Sequence, residues 1–212
     1  MGMDLTAIRN VYCVGRNYAA HARELGNEVP ESPVVFLKPS HAVGLLDGST
    51  VRLPGDRGEV HYELELVVRI DRPYEPDADP ESTVGGLALG IDWTLRDVQS
   101  VCKAKGLPWL DAKAFPSAAL ITEWQPYPGL EALSRTPFAL MREGEQLQLG
   151  QADRMLFPIP RLIAHIGARF GLGPGDLIFT GTPEGVGAVR DGDRLECLLD
   201  GRAIGGCTVR LG

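Results

Sequence analysis

The chain has 212 residues, 44% apolar and 23% charged, a length and balance that suit one globular domain over 1–212 and exclude a disordered or fibrous chain. A net charge of −7 lacks the basic footprint of a protein that grips a phosphate backbone, so no nucleic-acid partner is expected. No apolar run reaches the roughly 18 residues of a membrane span, and the opening MGMDLTAIRN has neither the cationic nor the apolar part of a leader, so no membrane partner and a cytoplasmic location are expected.

The 26 glycines and 16 prolines punctuate short β-branched runs, which predicts a β-rich α+β fold with few helices. A strand over Val11–Val14 leads into a helix over Asn17–Leu25, capped by Asn17 and stopped by Gly26. Strands follow at Val34–Lys38 and Tyr62–Ile70, then a Pro- and Asp-rich loop over Asp71–Ser82 and a strand over Gly86–Ile91. A second helix starts at Thr94, with Thr94 and Asp97 as a capping box and Leu95, Val98, Val101 and Cys102 on one face, and stops at Gly106. After a strand at Phe138–Arg142, Ile159, Leu162, Ile163, Ile166 and Phe170 recur at helical spacing up to Gly171. Strands at Leu177–Thr180, Arg194–Leu199 and Cys207–Leu211 complete the series. No internal repeat is present.

The four cysteines stand singly among apolar neighbours and read as buried thiols, while His21, His41, His61 and His165 form no HxH or HxxxH pair. Any metal is therefore expected on oxygen ligands. In Tyr62–Ile70, alternation puts Tyr62, Leu64, Leu66, Val68 and Ile70 on one face and leaves Glu63 and Glu65 on the other, roughly 6 to 7 Å apart along the strand. That pair is either a solvated strand face or, with Val67 beside it, half buried and in need of a cation. Asp92 ends an apolar strand just before Thr94; it either caps the helix or adds a third carboxylate. Three carboxylates without His or Cys suit a hard cation, Mg2+ or Mn2+.

His21 and Glu24, three residues apart on a helix, are either a surface pair or a base with its orienter on a short, mobile lid. The run Leu172–Gly187 takes a strand into a glycine-rich loop that is no P-loop; it is explained by turn chemistry or by presenting Thr182 and backbone N–H groups to an anion. Lys113, among apolar residues, is either exposed or buried against an anionic partner.

Taken in order, Val14-Gly15-Arg16-Asn17-Tyr18 with His21 and Glu24, Phe36-Leu37-Lys38-Pro39, Tyr62-Glu63-Leu64-Glu65-Leu66, Asp92 to Asp97, Ala112-Lys113-Ala114-Phe115 and Thr180 to Gly187 resemble the fumarylacetoacetate hydrolase family from about Val11 to the end. The resemblance implies a mixed β-roll, a homodimer, and Mg2+ or Mn2+ held by Glu63, Glu65 and Asp92. It also implies a water-activating His21–Glu24 dyad, substrate and water contacts from Lys113 and Thr182, and Arg16 facing the substrate carboxylate. The stretch from Arg96 to Trp109 is most similar to the branch acting on acylpyruvates and oxaloacetate, in which the residue matching Gln99 holds substrate.

Departures are Trp93, Leu95, Pro116 and Met141-Arg142-Glu143-Gly144-Glu145, of which the first three are expected to reshape the pocket, with Trp93 narrowing it if it points inward. The implied activity is metal-dependent hydrolysis of acylpyruvates such as acetylpyruvate and fumarylpyruvate, with possible oxaloacetate decarboxylation. Both reactions pass through an enolate that a Lewis acid stabilises. Alternatives are an isomerase or decarboxylase of longer dioates from aromatic degradation, and a non-catalytic module that binds a 2-oxo acid.

Overall fold

The computed structural model describes residues 3–24, 26 and 28–212. In chain order the strands are β1 (Val11–Gly15), β2 (Val34–Lys38), β3 (Val43–Leu45), β4 (Asp47–Leu53), β5 (Val60–Tyr62), β6 (Leu64–Ile70), β7 (Val84–Asp92) and β8 (Thr94–Leu95). They continue with β9 (Ala119–Ile121), β10 (Phe138–Arg142), β11 (Glu145–Gly150), β12 (Leu177–Phe179), β13 (Gly187–Ala188), β14 (Arg194–Leu199) and β15 (Arg202–Leu211). The helices are α1 (Ala19–Glu24), α2 (Arg96–Lys105), α3 (Leu110–Lys113), α4 (Leu130–Ser134) and α5 (Ile159–Phe170). None of these helices is long and apolar enough to cross a membrane.

Three sheets make the β-rich α+β roll. A seven-stranded sheet runs β2-β1-β12-β6-β7-β9-β3, a five-stranded one β11-β10-β14-β15-β4, and a small one β13-β5-β8. The two larger are mixed: β1 with β12, β3 with β9 and β15 with β4 are parallel pairs, and the others, including both pairs of the small sheet, are antiparallel. The large sheet is buried on both faces. Tyr62 and the β6 residues Leu64, Leu66, Val68 and Ile70 enter the main core with Phe138, Leu140 and the apolar face of α5. On its other face Val67 meets Cys13, Ala88, Ile121 and Phe179 under a cover of Met3, Leu5, Ile8 and Trp124. Burial on both sides is why β6 and β7 read as nearly unbroken apolar runs.

Several local expectations yield to longer-range partners. Asn17 does not cap α1: its side chain donates to Phe157 O and Thr180 O and accepts from Phe157 N, tying three segments together. Gly26 does turn left-handed (φ 65°) just past α1, as a stop should; Leu25 lies outside the described residues. The expected capping box does not form. Thr94 and Leu95 pair in β8 with His61 and Val60, and Asp97 accepts from Glu59 N at 2.9 Å, so α2 begins at Arg96. Of its expected apolar face Cys102 is buried and Val101 exposed. Phe170 is also exposed, stacked against Tyr12 at 6.3 Å. The expected strand Tyr62–Ile70 is broken at Glu63 into β5 and β6.

A carboxylate centre with an orienting dyad

The strand pairing itself gathers the acids. Within antiparallel β6 and β7, Glu65 lies opposite Gly90, and Asp92 N donates to Glu63 O at 2.9 Å, so all three carboxylates project from the same face of adjacent strands. Each offers an oxygen within 4.8 Å of the others, and all three residues are buried. The half-buried alternative for the Glu63 face therefore gives way to full burial.

Three cations surround them. Lys113 Nζ, on α3, bridges Glu63 Oε2 (2.6 Å) and Asp92 Oδ2 (2.7 Å). Arg96 holds Glu63 Oε1 at 2.6 Å and Gln99 Oε1 at 2.7 Å. Lys38, at the end of β2 and fully buried, places Nζ 2.7 Å from Asp92 Oδ1 and donates to Trp93 O and to Lys113 O. Burial works against ionising Glu63, but Lys113 and Arg96 outweigh it and hold its carboxyl well below the usual range. Burial likewise opposes charge on Lys113, and Asp92 and Glu63 reverse that, so its ammonium is retained.

Glu65 is the uncompensated member. Burial, then Asp92 and Glu63, push its carboxyl well above the usual range, and the Gly181 N–H, 2.6 Å away, opposes this only in part. Gly181 is required there: its φ is 100°, and a Cβ would stand 2.7 Å from Asn17 Cβ. Asp92 Oδ1 is buried without a well-angled hydrogen bond; Lys38 pairs with it by charge but off the hydrogen-bonding direction. A carboxylate raised by burial and then by its like-charged neighbours, and an orphaned carboxylate oxygen, in an all-oxygen donor set, fit a hard divalent cation.

These acids floor a narrow cavity lined also by Arg16, His21, Gln99, Lys113 and Thr182. Every expected catalytic, substrate-binding and metal-binding residue thus reaches the cavity except Glu24, which stands behind His21. Glu24 Oε2 is 3.2 Å from His21 Nδ1, and the same carboxylate accepts from Gly185 N at 3.0 Å. With Glu24 as acceptor on Nδ1–H, the Nε2 lone pair is left available. Thr182 Oγ1 accepts from Gln148 Nε2 at 2.8 Å, and Gln148 is fixed in turn by Pro183 O and Leu64 N.

The wall holds residues that sequence reasoning left without a role: Arg96, Lys103, Phe36 and Trp109. Lys38 and Gln148 act from behind it. Five of these six, with Phe36 and Lys38 in one motif, Arg96 in another and Lys103 and Trp109 in a third, lie in or beside segments whose order was informative, but no local spacing shows what they face. Trp93 is corrected: its indole is fully buried in the main core with Nε1 unpartnered, and it does not line the cavity. Leu95 is also in that core, and Pro116 borders a separate surface depression beside Arg52 and Arg210. The aromatic wall is instead Phe36 edge-on to Trp109, with ring centres 5.6 Å apart.

A mixed β-roll whose floor is a divalent-metal site of three buried carboxylates, with a histidine–glutamate pair above it, defines a class of metal-dependent enzyme. The chain belongs to the fumarylacetoacetate hydrolase family: residues 10–211 match the family's fumarylacetoacetate (FAA) hydrolase C-terminal domain. It is 42% identical over 195 residues to "Oxaloacetate tautomerase FAHD1, mitochondrial" of Rattus norvegicus, covering 91% of this chain and 88% of the rat protein. To "Oxaloacetate decarboxylase, mitochondrial" of Dictyostelium discoideum it is 38% identical over 196 residues, covering 91% and 89%. Its fold superposes with a TM-score of 0.90 on a fumarylpyruvate hydrolase from Pseudomonas aeruginosa solved with Mn2+ and pyruvate, at 37% identity and covering 97% of this chain and 91% of that one.

Proposed function

We propose that the chain is a Mg2+- or Mn2+-dependent enzyme of short 2-oxo acids that hydrolyses acylpyruvates and also acts on oxaloacetate, and that it works as a homodimer. The observation that carries this reading is the cluster of Glu63, Glu65 and Asp92 within 4.8 Å of one another, in one cavity with Lys113 and His21. Glu63, Glu65 and Asp92 would hold the cation, which supplies Lewis acidity toward the carboxylate and 2-keto oxygens of a 2-oxo acid. The relatives named for oxaloacetate and the P. aeruginosa enzyme solved with pyruvate support this substrate class.

This chain's own groups then divide the work. Lys113, held charged between two carboxylates, presents a fixed cation where negative oxygen develops. His21 Nε2 takes the proton of a water that attacks the distal carbonyl, and Glu24 supports the imidazolium that results. Gln99, whose carbonyl is engaged by Arg96, has its amide N–H groups left for a substrate oxygen. Thr182, oriented by Gln148, adds a hydroxyl on the opposite wall. Decarboxylation of oxaloacetate needs no water nucleophile and so makes no such demand on His21.

That difference is the test. His21→Ala should lower acetylpyruvate hydrolysis by roughly two to four orders of magnitude, the usual worth of a general base, and oxaloacetate decarboxylation by less. Excess EDTA should stop both. Equal losses in the two reactions would assign His21 to binding, and full activity in EDTA would overturn the metal centre.

A further inference from the structure

Five threonines are buried among the described residues. Thr83, Thr94, Thr122 and Thr180 each donate the hydroxyl proton to a main-chain carbonyl, at 2.7 to 3.4 Å. Hydroxyls satisfied in this way have no proton to offer a ligand. Thr182 differs. It lines the cavity, its Oγ1 accepts from Gln148 Nε2 at 2.8 Å, and it donates to none of the described residues. The main-chain N–H of its neighbour Gly181 reaches Glu65 Oε2 at 2.6 Å, so the free proton belongs to a residue next to the carboxylate centre.

The direction of the Gln148 bond is fixed. A side-chain amide can turn over and present its oxygen where its nitrogen was, but main-chain groups hold Gln148 at both ends. Leu64 N, which only donates, lies 2.8 Å from Oε1, and Pro183 O, which only accepts, lies 3.0 Å from Nε2. Turning the amide would set N–H against N–H and oxygen against oxygen. Each bond lost at this buried residue would cost roughly 1–3 kcal/mol. Gln148 comes from β11 in the five-stranded sheet, whereas Leu64 opens β6 just past the break at Glu63. Two main-chain groups behind the cavity wall thus decide which way the Thr182 hydroxyl faces.

We propose that Gln148 is a positioning residue: its amide occupies the acceptor side of the Thr182 hydroxyl and commits the proton to an oxygen of the ligand in the cavity. This rests on the 2-oxo acid reading above and deepens it, since a carboxylate or enolate oxygen accepts such a proton and an ammonium or amide N–H does not. The competing account is that Gln148 only ties β11 to Leu64 and to the glycine-rich loop, with Thr182 contributing shape alone.

Oxalate, whose oxygens only accept, is the probe, titrated by calorimetry into the Mg2+-loaded protein. Thr182→Val keeps the shape and removes the hydroxyl, and should weaken oxalate on the order of tenfold, the usual size of a hydrogen bond to a charged group. Thr182→Ser should retain most of the affinity. Gln148→Met should cause a loss like that of Thr182→Val, and the double variant no more than either alone, because the two act through one bond. Mg2+ affinity measured without oxalate should stay within about twofold throughout, which separates aiming Thr182 from loosening the floor at Leu64. Circular dichroism reports folding. Should Gln148→Met not fold, Gln148→Glu takes its place, since it keeps an acceptor for Leu64 N. At a pH where its carboxylate is ionised it must take the Thr182 proton itself, so it should weaken oxalate by on the order of tenfold more than it does in a Thr182→Val background. Unchanged oxalate affinity in Thr182→Val, or losses that add in the double variant, would overturn the positioning role and leave the proposed function standing. Mg2+ affinity falling in Gln148→Met as far as oxalate affinity would assign Gln148 to the floor instead. No oxalate binding by the unsubstituted Mg2+-loaded protein would overturn the proposed function and the positioning role together.

Discussion

Lys38 shows how much of this centre depends on a residue that touches no solvent. Its ammonium pairs with Asp92 Oδ1 at 2.7 Å and is otherwise spent on main-chain carbonyls of Trp93 and Lys113, so it fixes both a carboxylate and the turn that carries Lys113. Removing one partner of a buried ion pair leaves the other charge uncompensated, which costs roughly 3–5 kcal/mol. Lys38→Met should lower the urea-unfolding free energy of the metal-free protein by about that much, and pairing it with Asp92→Asn should recover part of the loss. A loss below about 1 kcal/mol would mean that Lys38 is a bystander. The acids of this centre were legible in the sequence because strand alternation is a local property: Glu63 and Glu65 two apart, with Val67 continuing the same face, already implied an unusual environment. Lys38 was not, because it follows Phe36-Leu37 at a strand end where a lysine ordinarily reaches water. Its burial is set by Asp92, which lies on another strand of the same sheet and far along the chain.

At the level of elements, α1 is six residues long, too short to hold itself together. It is held from outside: Tyr18, at its start, forms a β-bridge with Met155, and the Glu24 carboxylate accepts from Gly185 N at the far side of the glycine-rich loop. Glu24 therefore does two things, orienting His21 and clasping the helix to the loop that also carries Thr182. Glu24→Ala should raise amide exchange across residues 20–24 by about tenfold or more, since local opening governs exchange of such weakly anchored segments. Mg2+ with oxalate should slow it again in the unsubstituted protein, as expected of a lid; strong protection with no ligand present would refute the lid. The sequence marked this helix and its Gly26 stop but misassigned Asn17, and the same failure recurs at α2. Both Asn17 and the Thr94–Asp97 pair carry the local signature of a helix cap, and in both cases a distant segment takes the side chain first: Phe157 and Thr180 for Asn17, Glu59 for Asp97. Strands such as β3, β9 and β13, two or three residues long, were unreadable for the same reason, because their pairing comes from neighbours and not from their own pattern.

Over the whole molecule, the acidic balance of −7 and the proposed anionic substrate are reconciled by where charge is buried. With all three carboxylates ionised, as metal binding requires, they meet three cations, Lys38, Lys113 and Arg96, and the site without its ion is formally neutral. A divalent ion would leave it with two positive charges in a confined cavity, a state that a dianion offsets and water alone serves poorly. Metal and dianion should therefore bind cooperatively, and linkage requires the coupling to be equal in both directions. Oxalate, a planar dianion resembling the enolate of pyruvate, should bind the Mg2+-loaded protein at least about a hundredfold more tightly than the EDTA-treated protein, a difference of about 2.7 kcal/mol. Oxalate should also tighten Mg2+ by the same factor. Mg2+ alone should raise Tm by mass action, Mg2+ with oxalate should raise it further, and Glu65→Ala should abolish both increments while the protein still folds. Equal oxalate affinity with and without Mg2+ would show that the anion is held by Lys113 and Arg96 alone. A Glu65→Ala protein that kept the full Mg2+ increment would place the ion elsewhere than on the three carboxylates.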